Sequence, residues 1–208
     1  GVFYNGVQLG NAQNGQVDLG RYSLDNVEAI SLYNGQKSDI FQTAKDFSTA
    51  SAIYIATKHP RFKANERSHF KVQMRTGSFG LANPSILWEQ KLAHTVHMSA
   101  SAEYTYANGR YKFRYKRKLA DGSLAFDTTA TRQNGDVQSL RTEIGIYGYI
   151  PEGKWNINGY FFTSERGIPG AIVNNVFRHG ERQWDKAAFG QGSFSKKITD
   201  FYELKVNG

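Results

Sequence analysis

Residues 68–75 read Ser68-His69-Phe70-Lys71-Val72-Gln73-Met74-Arg75, and the alternation is strict. His69, Lys71, Gln73 and Arg75 fall on one face of an extended chain, and Phe70, Val72 and Met74 on the other. A period of two with one polar and one apolar face marks a β-strand. The pattern returns where Met98, Ala100, Ala102, Tyr104 and Tyr106 alternate with Ser99, Ser101, Glu103 and Thr105. Leu140, Thr142, Ile144 and Ile146 alternate with Arg141, Glu143 and Gly145, and Tyr202, Leu204 and Val206 with Glu203, Lys205 and Asn207. Seven strands are predicted, near 68–77, 85–94, 96–107, 137–150, 155–164, 184–196 and 201–207.

The connections between these strands are unequal. Those at His94-Thr95, Pro151 to Lys154 and Lys197 to Asp200 are short, and Gly77 to Pro84 is intermediate. Those at 108–136 and 165–183 are long, polar and rich in Gly and Asn. Short and long links therefore alternate between the two ends of an antiparallel meander, as they do in a membrane barrel with tight turns on one side and long outer loops. Trp88, Tyr104, Tyr106, Tyr147, Tyr149, Trp155, Phe161 and Trp184 fall at or near predicted strand ends, where aromatic girdles would sit. The competing reading makes them core aromatics of a sandwich.

Composition bounds the answer further. The chain has 208 residues, 39% hydrophobic, 21% charged and 14% aromatic, with 21 Gly against 4 Pro. That balance suits a turn-rich β-protein and excludes a disordered tail. The absence of Cys excludes a disulfide scaffold, a thiolate metal site and a Cys nucleophile. No apolar run approaches the roughly 18–20 residues of a spanning helix. The net charge of +8 is unevenly placed: residues 1–57 carry 3 basic and 5 acidic side chains, and residues 58–208 carry 23 and 13. The chain therefore divides near His59-Pro60 into two parts with different surroundings.

The first part reads as short strands and loops. Val2-Phe3-Tyr4, the tight-turn pair Asn5-Gly6 and Val7-Gln8-Leu9 make a hairpin. Ser23 is placed to cap a short helical turn over Leu24 to Val27, with Asp25 and Glu28 near its N-terminus. Ala29 to Tyr33 and Ser51 to Thr57 are further strands.

In order and spacing, Asn5 to Leu9, Gly15-Gln16-Val17-Asp18-Leu19, Val27 to Gly35 and Ile53 to Lys58 resemble the second half of the plug domain of a TonB-dependent outer-membrane receptor. Tyr111 to Lys118, Thr128 to Asn134, Glu165 to Gly170 and Arg182 to Lys186 resemble loops and strands from the first third of the attached barrel. The polar loop at 10–18 and the Arg166-Gly167-Ile168-Pro169-Gly170 loop are similar to the cobalamin-transporter-like branch, although siderophore, haem and oligosaccharide receptors share the architecture. Asn5 stands where the family usually has Asp, and Ala50-Ser51-Ala52 where a Gly-Gly pair usually precedes the last plug strand.

The resemblance implies a mainly β fold: residues 1–58 are the C-terminal half of an α+β plug, and residues 59–208 are about seven antiparallel strands of a larger transmembrane β-barrel. It implies energy-coupled uptake of a scarce small-molecule nutrient across the outer membrane of a Gram-negative bacterium, with a TonB-type energy transducer engaging a segment outside these residues. Outer-membrane lipid is the surrounding partner, and open strand edges are where a fragment would self-associate.

Asn11, Gln13, Asn14 and Gln16 are the candidate substrate contacts, because neutral amides offer both donors and acceptors to an uncharged polar ligand. Arg110, Lys112, Arg114 and Lys116 alternate with Tyr111, Phe113 and Tyr115 and are the candidate contacts to anionic lipid or another polyanion. The alternative is a self-contained soluble β-protein that binds nucleic acid or glycan through this basic strand at 110–118; the receptor reading expects no nucleic-acid partner. No G-x-S-x-G, H-E-x-x-H or P-loop pattern occurs, so no enzyme is expected. No cofactor or metal is assigned, since Asp121, Asp127 and Asp136 are too widely spread to suggest a Ca²⁺ loop.

Overall fold

The computed structural model describes residues 1–10, 17–23, 26–34, 51–173, 176–177 and 180–208. The chain is mainly β. In the N-terminal unit, β1 (Val2–Tyr4), β2 (Val7–Leu9), β3 (Val27–Asn34) and β4 (Ser51–Thr57) form one sheet of order β2-β1-β4-β3. The β1–β4 pair is parallel and the others are antiparallel. Asn5 and Gly6 take φ of 49° and 86°, as the two-residue turn between β1 and β2 requires. The Asn5 amide also donates to Thr57 Oγ1 and accepts from Thr57 N, both at 2.9 Å, so it fastens the end of β4. An Asp at this position could not donate. Phe3, Tyr4, Ala52 and Ile55 are buried at the centre of the unit.

The expected helical turn at Leu24 to Val27 is not where the helical geometry falls. Leu24 and Asp25 lie outside the described residues, and Val27 opens β3 opposite Thr57. Among the described residues of this unit, the helical geometry is a 3-10 turn at Leu19–Arg21, capped by Asp18. Ser23, the expected cap, instead donates to Glu103 Oε2 at 3.0 Å.

The second sheet begins at β5 (Ser68–Gly77) and continues through β6 (Leu81–Lys91) and β7 (Val96–Ala107). A separate hairpin of β8 (Tyr111–Lys118) and β9 (Leu124–Arg132) follows. The sheet resumes with β10 (Val137–Ile150) and β11 (Gly153–Gly167), and a small hairpin of β12 (Ile172–Val173) and β13 (Val176–Phe177) intervenes. It ends with β14 (Arg182–Lys197) and β15 (Glu203–Asn207). The strand order is β15-β14-β11-β10-β7-β6-β5, an antiparallel meander in chain order. Its strands correspond to the seven expected ones.

Two expectations are corrected here. The strand expected at 85–94 runs from Leu81 to Lys91, because Ser78–Gly80 is a tight turn and Pro84 lies inside the strand opposite Met74. Pro84 has no N–H, and the β6–β7 ladder is interrupted at 83–84. The Asn83 side chain compensates by donating to the Tyr104 carbonyl at 2.9 Å. Secondly, the connection expected as one long polar link at 108–136 contains the β8–β9 hairpin, in which the basic strand expected at 110–118 is β8.

The polarity of the large sheet is inverted relative to a water-soluble one. Its charged face is covered by the N-terminal unit: Arg141 is 8% exposed and Glu143 9%. Its apolar face is open, with Phe70 at 66%, Ile144 at 51% and Ile157 at 60%. At one end this apolar belt stops at a row in which Tyr106, Gln138, Glu165 and Trp184 are paired in sequence. At the other end the corresponding row is Val96, Gly148, Trp155, Phe194 and Val206. The Trp155 indole occupies the space over Gly148, where an added Cβ would meet ring atoms at 2.0–2.4 Å.

These rows correct the girdle expectation. Tyr104, Tyr106, Trp155 and Trp184 sit at or beside the belt margins, whereas Trp88 is level with Ile144 and Phe161 is paired with Thr142, both mid-belt. Tyr147 and Tyr149 are on the opposite face, with Tyr147 packed against His59 and Tyr149 near His97.

Candidate ligand cleft and the interface beneath it

Strand alternation places Glu103, Arg141, Glu143, Tyr160 and Phe189 on the covered face, and the N-terminal unit meets them with polar groups as well as aromatic rings. Tyr4 donates its hydroxyl to Glu143 Oε2 at 3.1 Å, and Asn26 Nδ2 donates to the same oxygen at 2.5 Å. Arg141 forms an ion pair with Glu103 and donates to the Arg21 carbonyl at 2.9 Å. Tyr160 donates to that carbonyl at 2.7 Å. Rings complete the contact: Tyr22 on Tyr160 at 5.3 Å, and Tyr4 edge-on to Phe189 at 6.0 Å. Burial, reinforced by the Glu143 carboxylate, pushes the Tyr4 hydroxyl well above its ordinary range, so Tyr4 remains a donor at any ordinary pH.

Beside this interface a cleft of about 980 Å³ separates the N-terminal unit from β11 and β14. Asp185 is its electrostatic centre: Arg21 Nη2 lies at 3.4 Å, Arg166 Nη2 at 3.5 Å, and Gln183 Nε2 donates at 3.0 Å. Arg21 also approaches Asp18 at 3.6 Å and lies 5.5 Å from the Phe162 ring centre. The cleft thus combines mutually compensated charges, the Gln8 and Gln183 amides, and the Tyr22 and Tyr160 rings. Such a lining suits an uncharged polar ligand more than a strongly charged one.

The predicted substrate contacts Asn11, Gln13, Asn14 and Gln16 lie outside the described residues. The described residues on either side of them, Gly10 and Val17, both line the cleft. Sequence reasoning missed Arg21, Arg166, Gln183 and Asp185, which come from three separate segments. Arg166, Gln183 and Asp185 lie in the segments 165–170 and 182–186 that carry the family resemblance, but no shared spacing marks the four as a set.

Of the predicted polyanion residues, Lys112, Arg114 and Lys116 share one face of β8 and Arg110 precedes the strand, and they are not equivalent. Arg114 is paired with Asp127 through Nε at 2.7 Å and Nη2 at 2.6 Å, and Lys116 lies 3.8 Å from the same carboxylate. The three aspartates considered for Ca²⁺ are held apart by different partners: Asp121 accepts from Ser123, Asp127 from Arg114 and Asp136 from Arg182. Arg182 bridges Asp136 at 2.7 Å and Glu165 at 2.6 Å, tying the base of the hairpin to the β11–β14 end.

The Arg182 hydrogen bond holds the Asp136 carboxyl below the usual carboxylate range. Because the folded value is depressed, this clasp is intact above the unfolded aspartate pKa of about 4 and is lost as pH falls through the lower folded value. Amide hydrogen exchange at Gly135, Asp136 and Gly167 is expected to be unchanged between pH 7 and 5, after correction for intrinsic rates, and to accelerate below about pH 4. Unchanged protection at pH 2.5 would show that the clasp does not depend on the charge.

No protein-family model matches this chain, and none of the curated proteins matches it.

Proposed function

We propose that this chain is a plug-and-wall segment of a TonB-dependent outer-membrane receptor, which imports a scarce nutrient across the outer membrane of a Gram-negative bacterium. The observation that carries the reading is the inverted polarity of the large sheet. Its open face is a belt of Phe70, Val72, Ile144 and Ile157, and its covered face carries Glu103, Arg141 and Glu143. In water such a face would be an aggregation liability, whereas in a bilayer it is the lipid-facing wall. Strands of 14, 15 and 16 residues exceed the roughly 9–11 a spanning strand requires.

In this reading residues 1–58 are the plug portion, and their polar contacts with the wall are those of a unit that is held yet displaceable. The nutrient binds in the cleft between plug and wall, with Asn11, Gln13, Asn14 and Gln16 as further contacts by their sequence position between the cleft residues Gly10 and Val17. Its compensated charges favour a neutral polar ligand, with a cobalamin-like molecule the first choice and a siderophore or glycan next. The energy transducer engages a segment outside these residues. Further barrel strands would pair along β5 and along Arg182 to Gln191 of β14, which β15 leaves unpaired among the described residues. In isolation, those edges are where copies would self-associate.

The test uses the three tryptophans, Trp88, Trp155 and Trp184, all of which lie on the open face. Reconstituted into vesicles of brominated phosphatidylcholine, the chain is expected to lose most of its tryptophan fluorescence, while aqueous iodide quenches little. Strong iodide quenching without bromolipid quenching would overturn the membrane reading.

A further inference from the structure

The hairpin β8–β9 has a feature that nutrient import does not use. Between residues 110 and 132 it carries seven basic side chains against two acidic ones, Asp121 and Asp127. Asp121 is taken up by the turn at Ser123, and Asp127 by Arg114. The hairpin leaves β7 just beyond Tyr106 in the belt-margin row, and Tyr111 packs on Phe79 of the neighbouring turn at 5.8 Å. Its base is anchored where Arg132 donates to the Pro169 and Gly170 carbonyls at 2.9 Å.

Alternation sets the chemistry of the two sides. Lys112, Arg114 and Lys116 occupy one face of β8, with Arg110 just before the strand, while Tyr111, Phe113 and Tyr115 occupy the other, joined by Phe126 of β9. Single-stranded nucleic acid is held by cations and stacking rings acting on one surface. Here Lys112, Arg114 and Lys116 are back to back with the rings. On the ring side, Arg132, opposite Tyr111, is held at the Pro169 and Gly170 carbonyls, and Arg117 lies opposite Phe126. That arrangement matches a boundary with apolar chains on one side and phosphates on the other.

We infer that β8–β9 is an interfacial hairpin that binds the phosphate groups of anionic outer-leaflet lipid through Arg110, Lys112, Arg114 and Lys116. Asp127 limits its affinity by occupying Arg114 and Lys116. The inference rests on the barrel reading, because only a spanning wall brings the hairpin level with lipid headgroups.

The test uses the full chain in dodecyl maltoside micelles, either undoped or doped with diphosphoryl lipid A or phosphatidylcholine. Binding is read by native mass spectrometry and fluorescence titration. The native chain is expected to prefer lipid A over phosphatidylcholine. Arg110→Gln/Lys112→Gln is expected to weaken lipid A binding about 25-fold, at about fivefold per cation. Asp127→Asn should tighten it by severalfold, a gain that misfolding cannot mimic. Lys196→Gln, at the opposite end of β14, should change nothing.

Equal affinity for both lipids, or variants that bind like the native chain, would overturn the inference. A single-stranded oligonucleotide that displaces lipid A at equal or lower concentration would assign the hairpin to nucleic acid instead. Displacement by submillimolar inorganic phosphate would assign it to free phosphate. If the chain is stable in neutral micelles but fails these binding tests, only the hairpin inference falls. If it does not associate with micelles at all, the barrel reading falls too.

Discussion

Ile144→Arg is expected to abolish stable insertion of this protein into bilayers while leaving the covered face of the sheet unperturbed. Ile144 is 51% exposed and sits mid-belt, level with Trp88 across β7 and with Gly159 across β11. An arginine facing lipid at mid-depth costs about 2–4 kcal/mol, falling towards zero near the interfaces. The same substitution on a water-facing strand surface normally changes stability by no more than about 0.5 kcal/mol. The substitution therefore separates the two environments by sign as well as size: it harms a membrane wall and solubilises an aqueous sheet. Urea titration of the reconstituted protein, followed by far-ultraviolet dichroism, measures the difference. Gln138→Arg, in the belt-margin row, is the matched control with little expected effect. Equal stability of the native and Ile144→Arg proteins in lipid would rule out a lipid-facing belt.

The second large effect is expected at the opposite face. Arg141→Met removes the partner of Glu103 and one of two donors to the Arg21 carbonyl. The Arg141 and Glu103 side chains are only 9% and 16% exposed, so the carboxylate is left with little solvent to replace the lost charge. Breaking a buried pair from one side costs about 3–5 kcal/mol. Asn83 and Ser23 still donate to Glu103, which places the expected loss towards the lower end of that range. Replacing both partners, as Arg141→Met/Glu103→Leu, should recover most of it, because no unpaired charge then remains. Urea unfolding gives the total, and hydrogen exchange at Arg21 and Tyr22 shows whether the N-terminal unit loosens first. A loss below about 0.5 kcal/mol would mean that the pair does not hold the unit.

Much of the architecture was legible because strand alternation is a local property. The polar and apolar faces at Ser68–Gly77 and Val137–Ile150 follow from a side-chain period of two, so the strands, their order and the short links could be read directly. Pro84 misled the reading of β6, since a proline normally ends a central strand. Only the folded chain brings the Asn83 amide to the carbonyl left without a donor. Of the hairpin at 111–132, the alternation at 110–118 reads as a basic strand. Its partner β9 was obscured because the polar residues Asp127 to Thr129 imitate a loop and a bulge near Lys118 interrupts the register.

The candidate cleft was less legible for a different reason. Its loop, Asn11 to Gln16, could be singled out from amide content, but Arg21, Arg166 and Asp185 are separated by long stretches of chain and carry no shared spacing. The same limit applies to Tyr4, Asn26 and Glu143, which converge although the first and last are 139 positions apart.

The strands and the division of each into a polar and an apolar face are written in the residue order, because they depend on residues two positions apart, and the alternating short and long links mark the meander. Which face is covered depends on how the folded units pack. The N-terminal unit fits against the charged side, where its Tyr4, Ser23 and Asn26 can satisfy Glu103 and Glu143, and the apolar side stays open among the described residues.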